Sequence, residues 1–392
     1  MVFVMTACAE NSSQPEKSQP AEQTTVQPTT MSAEEINDRK LDKFISDMTL
    51  EEKVGQMFFV RCPDEGAVQQ VSEYNIGGYI LFGRDFDGKT KDEVVDDIHS
   101  YQNEADIPLL IGVDEEGGTV VRVSSNPNLR ETPFLSPKDT YADGGWDAVK
   151  QDAEEKADLL LSLGINVNLA PVCDMTSDEY GFMYDRSFSS DVDMENRYVR
   201  TVVETSKSKK LGTVLKHFPG YGNNSDTHTG IAYDDRDYSE FENTDFKPFY
   251  QGIESGADCI LVSHNIVNCM DSEYPASLSQ KVHDILRNEF KFDGVIMTDD
   301  LIMDAITDFT GDEAAAVTAA KCGNDLLCCS SVDTQYPAVL EAVQNGEISE
   351  AQVDASVKRI LKWKQNLGIF NIDTYQKKVK STEPTDTVGS EE

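Results

Sequence analysis

Ionisable side chains stand at five places where a short apolar run of the chain ends. They are Asp114 after 109–113, Asp174 after 168–172, Lys216 and His217 after 213–215, His264 after 260–263, and Asp299 and Asp300 after 294–298. Burying so many charges has no structural benefit, which favours a functional pocket. Carboxylates that face each other across such a pocket suit the hydrolysis of a glycosidic bond. One attacks or stabilises the sugar cation, and another group protonates the leaving oxygen.

A loop that follows the third of these runs carries a second candidate pair. Pro219, Gly220 and Gly222 prevent it from being helical. Asp226 and His228 lie two residues apart in it, so the carboxylate could hold one ring nitrogen while the imidazole transfers a proton near neutral pH. On this spacing alone, an Asx turn beside an exposed histidine is the preferred interpretation.

A metal site is the competing interpretation of the same region. His217, Asp226, His228 and His264 could supply ligands. No HxH or HExxH spacing supports such a site, and Lys216 would oppose a cation there. We therefore expect no metal and no cofactor.

Short apolar runs alternate with helical patterns along most of the chain. The runs are 57–60, 78–82, 109–113, 167–170, 213–215, 259–262, 294–298 and 325–329, and the helical patterns include 93–103, 146–163, 191–210, 247–255, 279–289 and 312–321. Continuous apolar strands separated by helices are typical of a parallel sheet that is buried on both faces. Eight such units predict an α/β fold, a single-domain (β/α)8 TIM-type barrel. The main rival is a doubly wound open sheet, which would usually need a GxGxxG turn that this sequence lacks.

Helix signals mark where this domain begins and ends. Capping boxes stand at 32–35 and 49–52, and a last helix begins after Ser349 and ends at Gly368. We divide the chain into 1–31, a barrel domain at 32–372, and a disordered tail at 373–392.

Composition excludes several classes of function. The 392-residue chain has a formal net charge of −37, which would repel the phosphate backbone of a nucleic acid. No run of 18 apolar residues predicts a transmembrane helix. The eight cysteines include no CxxC pair, so we interpret most as buried free thiols. We expect a monomer.

The N-terminal segment predicts attachment to a membrane surface. Cys8 follows Val4-Met5-Thr6-Ala7, which resembles the lipobox of bacterial lipoproteins. Residues 9–31 are rich in Ser, Gln, Pro, Thr and Glu, as in a disordered tether. We therefore expect a lipid on Cys8 and an extracytoplasmic location at the bacterial cell membrane.

The combined motifs resemble glycoside hydrolase family 3 β-N-acetylglucosaminidases, over roughly residues 40–370. The matching segments are GGYILF at 77–82, DEEGG at 114–118 with Arg122, NLAPVCD at 168–174, DRSF at 185–188, KHFPGYG at 216–222, DTH at 226–228 and GVIMTDDL at 294–301. Tyr221 stands where the family usually has His, and the segment from Lys216 to Asp226 is one residue shorter than the common form.

The resemblance implies a retaining mechanism and a role for each matching residue. Asp299 would be the nucleophile that forms a glycosyl-enzyme intermediate, and His228 would be the acid/base with Asp226 as its partner. Residues that match sugar-binding positions are Asp114, Arg122, Arg186, Lys216 and His217. We expect Asp174 and Asp300 to support the site, and His264 to line the pocket.

The function expected from this resemblance is removal of terminal β-linked GlcNAc from cell-wall or related glycans. Two alternatives keep the fold: a β-glucosidase, and a phosphorylase that uses phosphate as the acceptor. The glucosidase type usually carries a further domain with a Glu acid/base, for which this sequence has no candidate. A third alternative is a non-catalytic sugar-binding lipoprotein.

Overall fold

The computed structural model describes residues 2–5, 31–224, 230–310 and 312–377. The chain divides into two units between residues 39 and 40. In the first unit, the backbone N–H of Ser32 donates to the Glu35 carboxylate and that of Glu35 donates to Ser32 Oγ, which forms the predicted capping box. The second unit contains the barrel.

Parallel strands form a sheet that curls into a nearly closed (β/α)8 barrel of the TIM type. The strands are β1 Phe58–Arg61, β2 Gly78–Leu81, β3 Leu110–Val113, β4 Val167–Asn168, β5 Gly212–Phe218, β6 Tyr233–Asp234, β7 Cys259–Val262, β8 Ile266–Val267, β9 Val295–Thr298 and β10 Leu327–Cys329. Eight of them pair in the order β10-β1-β2-β3-β4-β5-β7-β9, while β6 and β8 form a small separate sheet. The two ends of the large sheet meet through an isolated bridge between Met297 and Leu326.

Helices connect successive strands, as the right-handed crossover of parallel strands requires. They are α1 Ala33–Ser46, α2 Leu50–Gln56, α3 Ala67–Tyr74, α4 Lys91–Glu104, α5 Pro137–Ser162, α6 Val192–Lys209, α7 Tyr238–Asn243, α8 Phe246–Ser255, α9 Gln280–Asp284, α10 Asp304–Thr310, α11 Asp312–Lys321, α12 Val332–Gln344 and α13 Glu350–Asn366. Within the described parts of the chain, no helix is both long and apolar enough to cross a bilayer.

All eight predicted strands are present, and the largest difference concerns β5. The sequence predicts that it ends at Leu215, but it continues to Phe218 with a register shift between these two residues against β7. Lys216 and His217 therefore lie on a strand and not in the loop that follows it. The predicted last helix is also confirmed, because Ser349 caps α13 by accepting from the N–H of Gln352.

Residues 373–377, which the sequence assigns to a disordered tail, include an aromatic contact. The Tyr375 ring lies edge-on to Phe44, with the ring centroids 5.0 Å apart. Most cysteines are buried free thiols as predicted, and Cys269 is the exposed one among those described.

Alternate strand residues fill the inside of the barrel. Neighbouring side chains of a strand point to opposite faces, so Phe59, Ile80, Leu261 and Met297 join one inner cluster while their neighbours pack outward against the helices. Trp363 of α13 belongs to the inner cluster as well. The inside of the barrel is thus a filled core, so the place for a ligand along the barrel axis is the end at which the strands finish.

A lysine is buried among these apolar elements on α13. Lys364 is fully buried, and its ammonium donates to Gln56 Oε1 at 2.8 Å. No carboxylate among the described residues pairs with it, and burial lowers its pKa to about 7. Between about pH 7 and the ordinary lysine pKa of 10.5, the unfolded chain binds a proton that the folded chain has released. The free energy of unfolding therefore rises with pH in this window.

Lys364→Met is therefore expected to stabilise the protein. The gain should be on the order of 4 kcal/mol below pH 7, where the folded protein holds an ammonium in an apolar site, and should shrink towards pH 10. Urea unfolding of both proteins between pH 6 and pH 10 measures this difference. A gain that does not change with pH would show that packing, and not the charge, is responsible.

Candidate functional site

A cavity of about 580 Å³ opens at the carboxyl ends of the barrel strands. Six predicted site residues line it: Asp114, Arg122, Arg186, Lys216, His217 and Asp299. Its apolar wall includes Phe82, Leu169, Phe182 and Met303. The cavity therefore combines convergent charged groups with flat apolar surface, a combination that suits a sugar ring.

Two cations and two carboxylates form a buried network on one side of the cavity. Lys216 Nζ lies 2.6 Å from Asp114 Oδ1 and 2.6 Å from Glu116 Oε1. Arg186 donates to Glu116 through Nε at 2.9 Å and through Nη2 at 2.7 Å. Lys216 retains a third N–H, and Asp114 Oδ2 accepts no hydrogen bond from the described residues. Both groups are available to sugar hydroxyls.

The charges in this network stabilise one another. Burial by itself opposes ionisation of Glu116, but the adjacent charges of Arg186 and Lys216 outweigh it and hold the pKa of that carboxyl well below its ordinary value. Burial likewise opposes the charge of Lys216, and the carboxylates of Asp114 and Glu116 outweigh it, which raises the lysine pKa. The network therefore stays charged across the neutral pH range, and its donors are fixed before substrate arrives.

Asp174 positions His217 and the start of the loop that follows β5. It is fully buried and accepts from the backbone N–H of His217 at 2.9 Å, from the N–H of Tyr221 at 2.7 Å and from His217 Nδ1 at 2.7 Å. A carboxylate can only accept, so the ring proton belongs on Nδ1. His217 Nε2 then accepts from Arg186 Nη2, 3.3 Å away. The predicted supporting position of Asp174 agrees with these contacts.

Asp174→Asn is expected to lower kcat/KM about 10- to 100-fold. The amide keeps the shape but presents its NH2 group either to the Tyr221 N–H or to both donors of His217, so one of these two residues loses its acceptor. Steady-state kinetics with an aryl β-GlcNAc measures the loss. Asp178→Asn is the matched control on the same segment, where the carboxylate accepts from the Tyr180 N–H. Equal effects of the two changes would contradict a specific positioning role for Asp174.

A second buried carboxylate shapes the loop that carries Arg122. Glu115 accepts from the backbone N–H groups of Arg122 at 2.9 Å, Val123 at 2.7 Å and Ser124 at 3.3 Å, and also from the Ser124 hydroxyl. The side chain of Asn168 on β4 holds both the N–H and the carbonyl of Glu115. The adjacent acids in this segment therefore have separate tasks, since Glu115 folds the loop while Glu116 faces the cations.

Asp299 lies directly after β9, where its side chain lines the cavity. Its Oδ1 accepts the N–H of Asp300 at 2.9 Å. The carboxylate of Asp300 accepts from the Ser330 hydroxyl and from the N–H of Ile302, and burial raises its pKa. The two adjacent acids therefore differ in their hydrogen bonds: the Asp300 carboxylate is bonded to Ser330 and to the loop backbone at Ile302.

His264 does not line the cavity, so that prediction was wrong. The side chain is fully buried, with Nδ1 2.7 Å from Ser277 Oγ and Nε2 3.0 Å from the Asp300 carbonyl oxygen. His264 lies two residues beyond the end of β7, and its imidazole is held between Ser277 and the backbone carbonyl of Asp300.

Three cavity features were missed by the sequence analysis. Arg61 is the last residue of β1, and Phe82 directly follows β2; both line the cavity. Glu116 is the third: it pairs with Lys216 and Arg186, and these two side chains line the cavity. The strand-end rule that selected Asp114 would have selected Arg61, had it been applied to β1.

Three predicted residues lie outside the described residues: Asp226, His228 and Cys8. The described loop up to the first gap has a glycine-dependent shape. Gly220 has φ +122°, and a Cβ there would lie 2.3 Å from Asp245 Oδ1. Among the described residues, no cluster of His, Cys, Asp or Glu could hold a metal ion.

Comparisons with known proteins agree on one family. Residues 49–363 match the glycosyl hydrolase family 3 N-terminal domain. A β-hexosaminidase of Hydrogenovibrio crunogenus is 31% identical over 286 residues, which cover 71% of this chain and 79% of that protein. A β-hexosaminidase of Nitrosomonas eutropha is 32% identical over 273 residues, covering 68% and 77%.

A solved structure gives the same result. The glycoside hydrolase family 3 β-N-acetylglucosaminidase from Paenibacillus sp. superposes with a TM-score of 0.77 at 29% identity, covering 88% of this chain and 66% of that chain. Fold, cavity and relatives therefore agree with the resemblance found in the sequence. The chain is a hydrolase of the β-N-acetylhexosaminidase class and belongs to glycoside hydrolase family 3.

Proposed function

We propose that this hydrolase removes terminal β-linked GlcNAc from glycans by a retaining mechanism with a covalent glycosyl-Asp299 intermediate. The observation that carries the proposal is the position of Asp299. Its side chain lines the same cavity as the fixed donors Lys216 and Arg186. A sugar held by these donors would present its anomeric carbon to this carboxylate.

The reaction would proceed through two successive displacements at the anomeric carbon. In the first, an Asp299 oxygen attacks the anomeric carbon while an acid protonates the leaving oxygen. In the second, the same group, now a base, takes a proton from water, which attacks the glycosyl ester and frees Asp299. We propose His228 as this acid and base, held by Asp226.

Substrate selection would depend on the charged network. Asp114 and Lys216 would bind hydroxyl groups of the terminal sugar, and Arg186, Arg122 and His217 would bind the remaining hydroxyls and the N-acetyl group. Each has donors or acceptors suited to neutral sugar oxygens. The packed core of the barrel forms the floor of the cavity. The cavity would therefore accept the last sugar of a glycan chain, which favours exo action.

A substrate panel tests this assignment directly. Turnover of aryl β-GlcNAc and aryl β-glucoside is measured with and without inorganic phosphate, and the stereochemistry of the first product is read by NMR. Preference for GlcNAc with a β product, in water, supports the proposal. Preference for glucoside would indicate a glucosidase, and a sugar 1-phosphate product would indicate a phosphorylase. Saturable glycan binding without turnover would indicate a binding protein.

We further propose that the natural substrate is a cell-wall or related glycan outside the cytoplasm, reached by an enzyme tethered through a lipid on Cys8. The support is the lipobox-like segment and the polar composition of residues 9–31. Metabolic labelling with a fatty acid analogue tests it, with Cys8→Ala as the control. Unlabelled wild-type protein in the soluble fraction would contradict the anchor.

A further inference from the structure

One guanidinium joins the two ends of the loop between β5 and β6, residues 219–232. Arg236 lies two residues beyond β6, and its Nη2 donates to the carbonyl oxygen of Gly220 at the start of the loop, 3.0 Å away. Its Nε and Nη2 donate to the carboxylate of Asp234, the last residue of β6, at 3.1 and 2.8 Å. Its Nη1 donates to the Asp245 carboxylate at 3.0 Å. Arg236 therefore binds both ends of the loop and a third segment.

The third segment connects this contact to the barrel. Asp245 directly precedes α8, and Phe246, the first residue of α8, stacks on Phe218 of β5 with the ring centroids 5.5 Å apart. The side chains of Asp234 and Asp245 are each 4% exposed. Burial opposes the charge of Arg236, but the two carboxylates outweigh it and raise the pKa of the guanidinium. Because these contacts are bidentate and shielded from water, they hold one geometry, unlike an exposed ion pair.

The first residues of the loop pack closely against the guanidinium. Gly222 has φ +54°, and a Cβ there would lie 2.8 Å from Arg236 Cζ. The same Cζ atom lies 4.1 Å from the ring centroid of Phe241 on α7, a distance at which a cation is attracted to the ring. Arg236 is therefore packed against the loop backbone as well as bonded to it, and the start of the loop can move little while this side chain is in place.

Backbone hydrogen bonds hold the other end of the loop. β6 pairs in parallel with β8, and the N–H of Asn268 donates to the carbonyl oxygen of Asp234 at 2.9 Å. His228 stands midway in the sequence between Gly220 and Arg236. Fixing both ends of a chain segment reduces the number of conformations that are open to its middle. The contacts of Arg236 therefore restrict where the candidate acid and base can go.

Arg236 can affect the reaction only through this loop. Neither Arg236 nor its partners Asp234 and Asp245 line the cavity, so a sugar bound there would not touch them. A displacement of a reacting group by about 1 Å can lower a rate about 100-fold. We propose that Arg236 is a positioning residue, which joins the two ends of the loop and so places His228 for proton transfer. The inference rests on the proposed function, in which His228 is the acid and base.

The test compares Arg236→Gln with the wild type on two substrates that differ in their leaving group. The leaving alcohol of a GlcNAc–GlcNAc disaccharide needs a proton, whereas an acidic phenol leaves an aryl β-GlcNAc without one. Arg236→Gln should lower kcat/KM about 10- to 100-fold for the disaccharide and change it little for the aryl glycoside. In a His228→Ala background the same substitution should have almost no further effect, because changes that act through one group are not additive.

Two further variants make the comparison specific. Arg236→Lys keeps a charge beside the carboxylates but not the fork, so it should lose less activity, and it replaces Arg236→Gln if circular dichroism shows that variant to be unfolded. Arg287→Gln is the matched control. The Arg287 side chain is 21% exposed, against 25% for Arg236, and it also joins a buried carboxylate, that of Asp325, to backbone carbonyl oxygens, but none of these belongs to the loop. Its effect should be equal on both substrates and should persist in the His228→Ala background.

Amide hydrogen exchange of the peptide that spans residues 219–236 gives a result that does not depend on turnover. Exchange should be faster in Arg236→Gln than in the wild type, and unchanged in Arg287→Gln. Equal exchange in all three proteins, or an equal loss of activity on both substrates, would overturn the inference. If His228→Ala shows no dependence on the leaving group, it is the proposed function that fails, and the exchange measurement alone then decides whether Arg236 fixes the loop.

Discussion

Asp299→Asn is expected to reduce turnover of aryl β-GlcNAc by about 10³- to 10⁵-fold. An amide in place of the carboxylate is a poor nucleophile, so the glycosyl ester cannot form. The geometry otherwise survives, because the amide oxygen can still accept the N–H of Asp300. Steady-state kinetics gives the loss. Intact-mass and peptide analysis after incubation with a 2-fluoro sugar substrate should show the adduct on Asp299 of the wild type only.

The neighbouring acid provides the matched control for this change. The Asp300 carboxylate is occupied by the Ser330 hydroxyl and the Ile302 N–H, so Asp300→Asn should weaken the loop without removing the nucleophile. It should therefore still form the adduct at a reduced rate. An adduct on Asp300, or full activity of Asp299→Asn, would refute the assignment.

His228→Ala is expected to impair cleavage in proportion to how poor the leaving group is. For a disaccharide, whose leaving alcohol needs a proton, kcat/KM should fall about 10²- to 10⁴-fold. For an aryl glycoside with an acidic phenol, formation of the intermediate should change little, since that group leaves without help. The comparison of these two substrates measures proton transfer separately from binding. Added azide should restore turnover by attacking the intermediate without base assistance, giving a β-glycosyl azide.

A surface histidine serves as the reference for this experiment. His99 is exposed on α4, and His99→Ala should behave like the wild type with both substrates. If His228→Ala slows the two substrates equally and azide has no effect, His228 acts in binding or folding, and another group must donate the proton.

The barrel could be predicted from the sequence because its strands carry their own signal. Each is a short apolar run between turn residues, and helical patterns separate them, so element type is encoded locally. The site residues Asp114, Lys216 and Asp299 followed from the same pattern, since parallel strands bring their carboxyl ends to one side. The extension of β5 was not predictable, because polar residues such as Lys216 and His217 normally end a strand. In this protein, carboxylates from distant segments pair with these two side chains and offset the cost of burying them.

Partnerships across the barrel explain the other differences. Glu115 and Glu116 are adjacent acids, and sequence alone does not distinguish the one that folds a loop from the one that pairs with Arg186, 70 residues away. His264 has the type and position of a cavity residue, yet it points towards Ser277 and the Asp300 backbone. The roles of these residues depend on which distant segments pack next to them, and the periodicity of the sequence carries no information about that.

The junction between β9 and β10, where an isolated bridge closes the barrel, should affect how long the enzyme persists. Asp299 follows β9, Cys328 of β10 lines the cavity, and Arg61 ends β1 on the far side. A glycan that contacts both Asp299 and Arg61 would span the junction, and its binding free energy would then oppose opening of the barrel. Proteases cleave mainly through such openings. When substrate is scarce, the enzyme would therefore not only be inactive but would also be degraded faster by proteases.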